Sequence, residues 1–364
     1  MNFVLCVHYD IMKNEMINFN SINTQTKVRR LAYVKTLMTM FLKSSYYPIN
    51  LFYKKIESEA GKQNDDLLKY INNKGFIEVS KTGNSSKPYI ETFLALKLLF
   101  TQNNMYRISK YGRVFNILQN ELDIKTDNYF LLTTYEKAFL LYSILEKDGL
   151  YLQLIIELIE EKKQISIKDT KEVFQDFILI KLEESMYSLD MSSKLKKDVL
   201  LRIKRIKNWE NPKRYLEHII EPRVNWLLDL GFLCEDNFQK NILVLSEKGL
   251  LFFKEIKTSF DINQNFFTLI HRVYFDNTVV SLEKNDFALV TNYLEKSFIL
   301  FKTSAPNRVT ASQAILYTCY MMLFKENRIV NFSTIQDYLS SKENRKFIYD
   351  WYKTEQDGSI RRKK

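Results

Sequence analysis

WLLDLGFLCED (226–236), followed by LVLSEKGLLFFKEI (243–256), has a counterpart earlier in the chain: YINNKGFIEVS (70–80), followed by YRISKYGRVFNIL (106–118). Both follow one scheme. An amphipathic helix ends at a glycine, a short apolar strand follows, and a second strand runs into Ser-x-x-Gly-x-x-Phe. Gly75 and Gly231 suit the left-handed position that ends a helix, because glycine has no Cβ to clash there. Phe76-Ile77 and Phe232-Leu233 start the strand, and Tyr106, Ile108 and Leu243, Leu245 alternate with period two in the return strand. Ser109 and Ser246 are placed to cap the closing helix, and Phe115 and Phe252 return to the core six residues on. Four of the chain's eight glycines fall at these paired positions, too many for coincidence.

Working outward, helices precede each hairpin. TKVRRLAYVKTLMTMFL (26–42) has helical apolar spacing, a short helix runs from near Pro48 to about Glu59, and a third, Gln63–Lys74, leads into Gly75. In the second copy, KLKKDVLLRIKRIK (194–207) puts Leu195, Val199, Ile203 and Ile206 on one face. Asn211-Pro212 is a cap-plus-first-position start, and Pro222 is expected to break the chain so that 222–230 is a separate third helix. Three helices, a two-stranded wing and a closing helix resemble the winged helix-turn-helix family. The resemblance covers about 27–120 and 193–258 and carries an expected fold class: mainly α with small β-hairpin wings, in tandem winged-helix modules joined by a helical segment. In the first copy residues 81–104 lengthen the wing, and YIETFLALKLLF (89–100) reads as an inserted helix.

The expected domains are 1–130, the first winged module; 131–192, a helical linker in which TTYEKAFLLYSILEKDGLYLQLIIELIEEK (133–162) reads as a helical hairpin; 193–262, the second module; and 263–364, a C-terminal helical domain. This last has a helix over 310–327, a second with Ser333 as its cap, and a hairpin turning at Asp357-Gly358, which suggests a degenerate third copy.

Length and composition agree with a multi-domain globular chain: 364 residues, 46% hydrophobic, 27% charged, with only eight Gly and five Pro. Cys6, Cys234 and Cys319 have no paired spacing, which excludes a disulfide scaffold and suggests a reducing compartment. The longest apolar stretch, LYLQLIIELI (150–159), is too short to span a bilayer, and FVLCV near the N-terminus lacks a basic flank and a cleavage site. A cytoplasmic location is the expectation.

The net charge is +11. Residues 1–130 carry 18 basic and 11 acidic side chains, and nine Lys/Arg crowd into 194–214. Concentrated positive charge attracts polyanions by releasing condensed counterions, although a solvated helix face explains such a cluster about as well. The family resemblance implies double-stranded DNA as partner, with the third helix of each module in the major groove. Carried onto this chain, it nominates Lys62, Gln63, Asn64, Lys69, Asn72 and Asn73 in the first copy. In the second it nominates Arg214, Arg223 and Asn225 for bases and Lys204, Arg205, Lys207 and Lys213 for phosphates. Asn72 and Asn73 serve equally as helix C-caps, while Asp65, Asp66 and Asp229 would repel phosphate.

No catalytic residues, metal ligands or cofactor are assigned. The chain lacks a phosphate-binding Gly loop, His8, His218 and His271 lack ligand spacing, and Cys6-x-His8 fits an apolar strand better than a metal site. A nuclease reading would use Asp148 with Glu160-Glu161-Lys162, or Asp169-Thr170-Lys171, but about five such triplets arise by chance in this composition. The resemblance extends to the recognition parts of type IIS restriction enzymes, which implies a restriction or phage-defence setting beside a separate cleaving or motor subunit. The alternatives are a transcriptional regulator, a protein-docking scaffold in a larger complex, or a type IIS-like nuclease.

Overall fold

The computed structural model describes residues 18–70, 75–81, 83–122, 126–187, 191–236, 241–257, 260–275, 286–301, 307–352, 355 and 357–363. Among these residues the chain is mainly helical, with three small antiparallel sheets of three strands each.

In the first unit α1 (Tyr33–Lys43) leads to β1 (Tyr46–Pro48), α2 (Ile49–Gly61), α3 (Asn64–Leu68) and α4 (Lys87–Ala95). The hairpin β2 (Leu99–Gln102) and β3 (Met105–Ile108) and the closing helix α5 (Lys110–Leu122) follow. Val34, Leu37, Met38 and Phe41 of α1 lie one helical turn apart and are buried, as an apolar stripe requires. The second unit has α6 (Thr134–Lys162), β4 (Ile165–Ser166), α7 (Ile167–Ser185), α8 (Ser193–Lys207), α9 (Pro212–Leu230), β5 (Leu233–Glu235), β6 (Ile242–Leu245) and α10 (Glu247–Lys257). After α11 (Ile262–Tyr274), the third has α12 (Phe287–Leu300), β7 (Arg308–Thr310), α13 (Ala311–Phe324), α14 (Phe332–Ser340), β8 (Phe347–Tyr352) and β9 (Asp357–Arg362). The sheet orders are β1-β3-β2, β4-β6-β5 and β7-β9-β8. Each hairpin therefore takes a third strand from upstream, on the side of its second strand. These upstream strands are two or three residues long, too short to show a period in the sequence.

The serine–glycine signature has the same geometry in both copies. Ser109 Oγ accepts the Gly112 N–H and donates to the Lys97 carbonyl; Ser246 Oγ accepts the Gly249 N–H and donates to the Gly231 carbonyl. Ser109 N–H and Ser246 N–H donate to Leu98 and Phe232 carbonyls, both at 3.0 Å. The glycines are required by close approach. A Cβ on Gly112 would lie 2.5 Å from Leu98 O, and one on Gly249 only 2.1 Å from Phe232 O.

This register corrects the alignment read from the sequence. Gly231 ends α9 at φ +81, but its counterpart is Lys97 at φ +61, not Gly75. The helix before the first hairpin is thus α4, which with β2 makes up the stretch expected to be an insertion. Phe76-Ile77 forms no strand. The expected third helix, Gln63–Lys74, is reduced to α3 among the described residues, and 71–74 lie outside them.

Other expectations also fail for physical reasons. α9 runs unbroken through Pro222. Proline cannot donate to the His218 carbonyl one turn back, but the Thr24 hydroxyl donates to it instead. Segment 133–162 is one helix kinked at Asp148 (φ −140, ψ 23), not a hairpin. Nor is 131–192 a linker, since it supplies α6, β4 and α7, and β4 pairs with β6. Asn331, not Ser333, precedes α14 as its cap residue. Asp357 pairs with Tyr352, so the last hairpin turns before Asp357-Gly358.

Candidate nucleic-acid interface

Five cationic side chains lie exposed where α8 turns into α9, Lys204, Arg205, Lys207, Lys213 and Arg214, and Lys194 and Lys197 are exposed earlier on α8. The sequence builds this corner locally. Val199, Ile203 and Ile206 bury one face of α8, which leaves its lysines outward. Ser192 caps α8 by accepting the Leu195 N–H, and Asn211 caps α9 by accepting the Arg214 N–H, with Pro212 at the first helical position. Three of the cations (Lys204, Arg205, Lys207) sit in the last turn of α8, where they also offset the helix dipole. Asp198, Glu210 and Glu217 are exposed nearby, and Lys207 pairs with Glu183 at 2.9 Å. The balance stays positive.

Two aromatics bridge the turn. Trp209 and Tyr215 stack with ring centroids 5.3 Å apart and an interplanar angle of 20°. Leu200 and Leu201, each about half exposed, border a shallow depression with Lys197, Lys204 and Lys207. These four apolar and aromatic residues were not among the nominated ones. Their only sequence signal was aromatic residues on either side of Asn211-Pro212.

Of the nominated residues, Lys204, Arg205, Lys207, Lys213 and Arg214 come together at this corner. Arg223 and Asn225 do not. Both are buried in the covered half of α9, so neither can reach a base edge. Arg223 forms an ion pair with Asp148, its Nη2 and Nε each 2.7 Å from a carboxylate oxygen, and donates to the Ile22 and Ile219 carbonyls. Asn225 accepts from Arg30 and donates to the Glu221 carbonyl. A second buried ion pair joins Arg30 to Asp229 at 2.7 Å, and that carboxylate also accepts the Leu31 N–H and the Tyr70 hydroxyl. Burial pushes the Asp148 and Asp229 carboxyls up from the usual range, against the pull of their arginines. Both pairs lie in the interior, where the cost of desolvating two charges offsets much of their attraction.

The first-copy nominees lie elsewhere. Lys62, exposed beyond α2, pairs with Glu59 at 2.8 Å; Gln63 and Asn64 are half-buried; Lys69 is exposed. Asn72 and Asn73 lie outside the described residues. Tyr70, next to Lys69, binds Asp229, which is about 24 Å along α9 from Lys213 at 1.5 Å per residue. The two groups therefore occupy opposite ends of α9. The helix that does precede the first hairpin, α4, exposes only Lys87 and Glu91.

The carboxylates of the nuclease reading are committed elsewhere. Asp148 is held by Arg223, Glu160 by Lys163 and Glu161 by Lys181, while Asp169 accepts the Ser166 hydroxyl. Among the described residues no cluster of three His, Cys, Asp or Glu is placed to hold a metal, and no helix is long and apolar enough to cross a membrane. Comparisons of the chain with protein-family models, with curated proteins and with solved structures return no match.

Proposed function

We propose that this chain binds double-stranded DNA through tandem winged-helix units, as a non-catalytic recognition subunit of a bacterial restriction or phage-defence system in the cytoplasm. The observation that carries the reading is the exposed basic corner at α8–α9. It supplies cations at the N-terminus of the helix that precedes a hairpin, the part of a winged unit that meets the major groove. The shared strand order of the three sheets supports the assignment of three such units. In this reading Lys204, Arg205, Lys207, Lys213 and Arg214 contact phosphates or base edges, and Trp209–Tyr215 braces the turn. Cleavage or translocation falls to a separate protein subunit. The defence setting rests on fold analogy alone.

The test is fluorescence anisotropy on a labelled duplex and the matching single strand, from about 50 to about 300 mM salt. With all five cations on phosphates the log–log salt slope is near −4.5, a loss of about 500-fold in affinity between 50 and 200 mM, and each one turned to a base edge makes it shallower by about 0.9. Replacing the five cations by Gln should flatten that slope. No duplex binding at the lowest salt overturns the reading. A docking role for protein is the second reading, favoured by Leu200 and Leu201 standing exposed among the lysines.

A further inference from the structure

A cleft of about 390 Å³ opens where α5, α6, α11, α14 and β8 meet. Its walls are aromatic: Tyr111 of α5, Tyr142 of α6, Phe260 before α11, Phe332 of α14 and Trp351 of β8. Two carboxylates line it, Glu146 and Asp261, and no Lys or Arg is among the lining residues. Both carboxylates keep one oxygen in reserve. Glu146 Oε1 accepts from Lys147 at 2.6 Å, and Asp261 Oδ1 caps α11 by accepting the Asn263 and Gln264 N–H groups. Glu146 Oε2 and Asp261 Oδ2 accept nothing among the described residues.

The other polar groups of the lining lean the same way. The side-chain NH2 groups of Asn20 and Gln336 are spent on the Glu146 carbonyl and the Tyr349 hydroxyl, while their side-chain oxygens accept nothing among the described residues. Tyr142 is 5% exposed and its ring meets that of Phe266 edge-on at 5.0 Å, yet its hydroxyl has no hydrogen-bond partner and is not sealed from the cleft. Burial, with the Glu146 charge among the lesser causes, pushes the Tyr111 and Tyr142 phenols up, so both stay neutral. The starts of α11 and α13 would favour an anion, but each already meets a carboxylate: Asp261 at α11, and at α13 Asp357, which accepts the Ser312 N–H at 3.0 Å. A metal ion lacks ligands, since no cluster of three His, Cys, Asp or Glu is placed for one among the described residues. The lining offers acceptors and aromatic faces, and its complement is a molecule with N–H donors and positive charge.

We propose that this cleft binds a small organic cation, an alkylammonium or guanidinium compound free in solution. Its N–H groups donate to Glu146, Asp261 and the Tyr142 hydroxyl, and its apolar stem packs against Phe332 and Trp351. The volume falls within the usual range of small-molecule sites, about 300–1,000 Å³. A chain of net charge +11 repels cations over most of its surface, so binding of one reports on a local acidic site. The cleft shares no residue with the α8–α9 corner and does not depend on DNA binding there.

Isothermal titration calorimetry on the full chain, free of nucleic acid, tests this with spermidine, agmatine and pentylamine, with pentanol as the neutral analogue, and with glucose. At least one of the three amines should bind, about tenfold or more tighter than pentanol or glucose. Glu146→Gln and Asp261→Asn should each weaken it about tenfold or more; the asparagine keeps an oxygen to cap α11. Tyr142→Phe, which removes a hydroxyl that bonds to nothing in the fold, should weaken it about two- to tenfold. Glu172→Gln, the same charge change at an exposed position of α7, should leave it unchanged. A thermal melt of each variant confirms folding, and Asp261→Asn and Tyr142→Phe keep the test valid if Glu146→Gln misfolds. The proposal is overturned by no amine binding at millimolar concentration, by pentanol or glucose binding as tightly as the amines, or by binding indifferent to the two carboxylate substitutions.

Discussion

Substituting Asp229→Asn removes one charge and leaves the Arg30 guanidinium, fully buried, beside an amide. Three donors converge on the native carboxylate: Arg30 Nη1 at 2.7 Å, the Leu31 N–H at 2.9 Å and the Tyr70 hydroxyl at 3.2 Å. An asparagine that keeps its oxygen toward Arg30 and Tyr70 turns its NH2 toward the Leu31 N–H, so donor faces donor, and Arg30 loses its Asp229 charge. Breaking a buried pair in this way costs about 3–5 kcal/mol. For 364 residues unfolding together, an entropy of about 2.1 cal/mol/K per residue converts that to a fall of about 4–7 °C in midpoint temperature. Calorimetry or a urea series measures it. The double replacement Arg30→Met with Asp229→Leu should cost less than Asp229→Asn alone, because it removes both buried charges instead of stranding one. A single variant within about 0.5 kcal/mol of the native chain, or a double variant whose cost is the sum of the singles, would refute the reasoning.

Thr24→Val strips the hydroxyl that covers the His218 carbonyl and should destabilise by about 1–3 kcal/mol in chemical denaturation; adding Pro222→Ala, which restores a backbone donor, should recover part of the loss. Gly249→Ala forces a Cβ against Phe232 O and should cost more than about 1–3 kcal/mol, with Gly112→Ala milder since its approach is longer. Ser246→Ala should cost about 1 kcal/mol as a lost cap, read from the same denaturation curves. Burial, with the Arg214 charge second, pushes His218 below the usual histidine range, and its Nδ1 accepts the Thr26 N–H at 3.0 Å. A folded pKa below the unfolded one gives stability that is complete above the unfolded value and lost as pH falls through the folded one. The melting midpoint should therefore drop between about pH 7 and about pH 5, and His218→Asn should flatten that dependence.

What could be read in the sequence was local. The capping serines, the glycines after them, the Asn211-Pro212 helix start and the basic corner all depend on neighbours a few residues away. What could not be read depended on distant partners or on unmarked backbone. Lys97 takes a left-handed conformation with no glycine to announce it, so Gly75 drew the alignment one helix too early. Pro222 ended the helix on paper because the hydroxyl that makes it tolerable comes from Thr24. Arg223 and Asn225 read as exposed because helical periodicity shows which residues share a face, not that segment 20–31 covers it.

The Arg30–Asp229 pair spans 199 positions of sequence. At about 5–20 residues per second, a ribosome adds Asp229 roughly 10–40 s after Arg30. During that interval the Arg30 guanidinium has not yet met the Asp229 and Asn225 side chains that bind it in the interior, so the packing of segment 20–31 against α9 must wait for that helix. The late arrival of one helix thus sets the earliest moment at which that segment can dock in a growing chain. Synthesis halted before Asp229 should yield a nascent chain that proteases cut readily between residues 20 and 31.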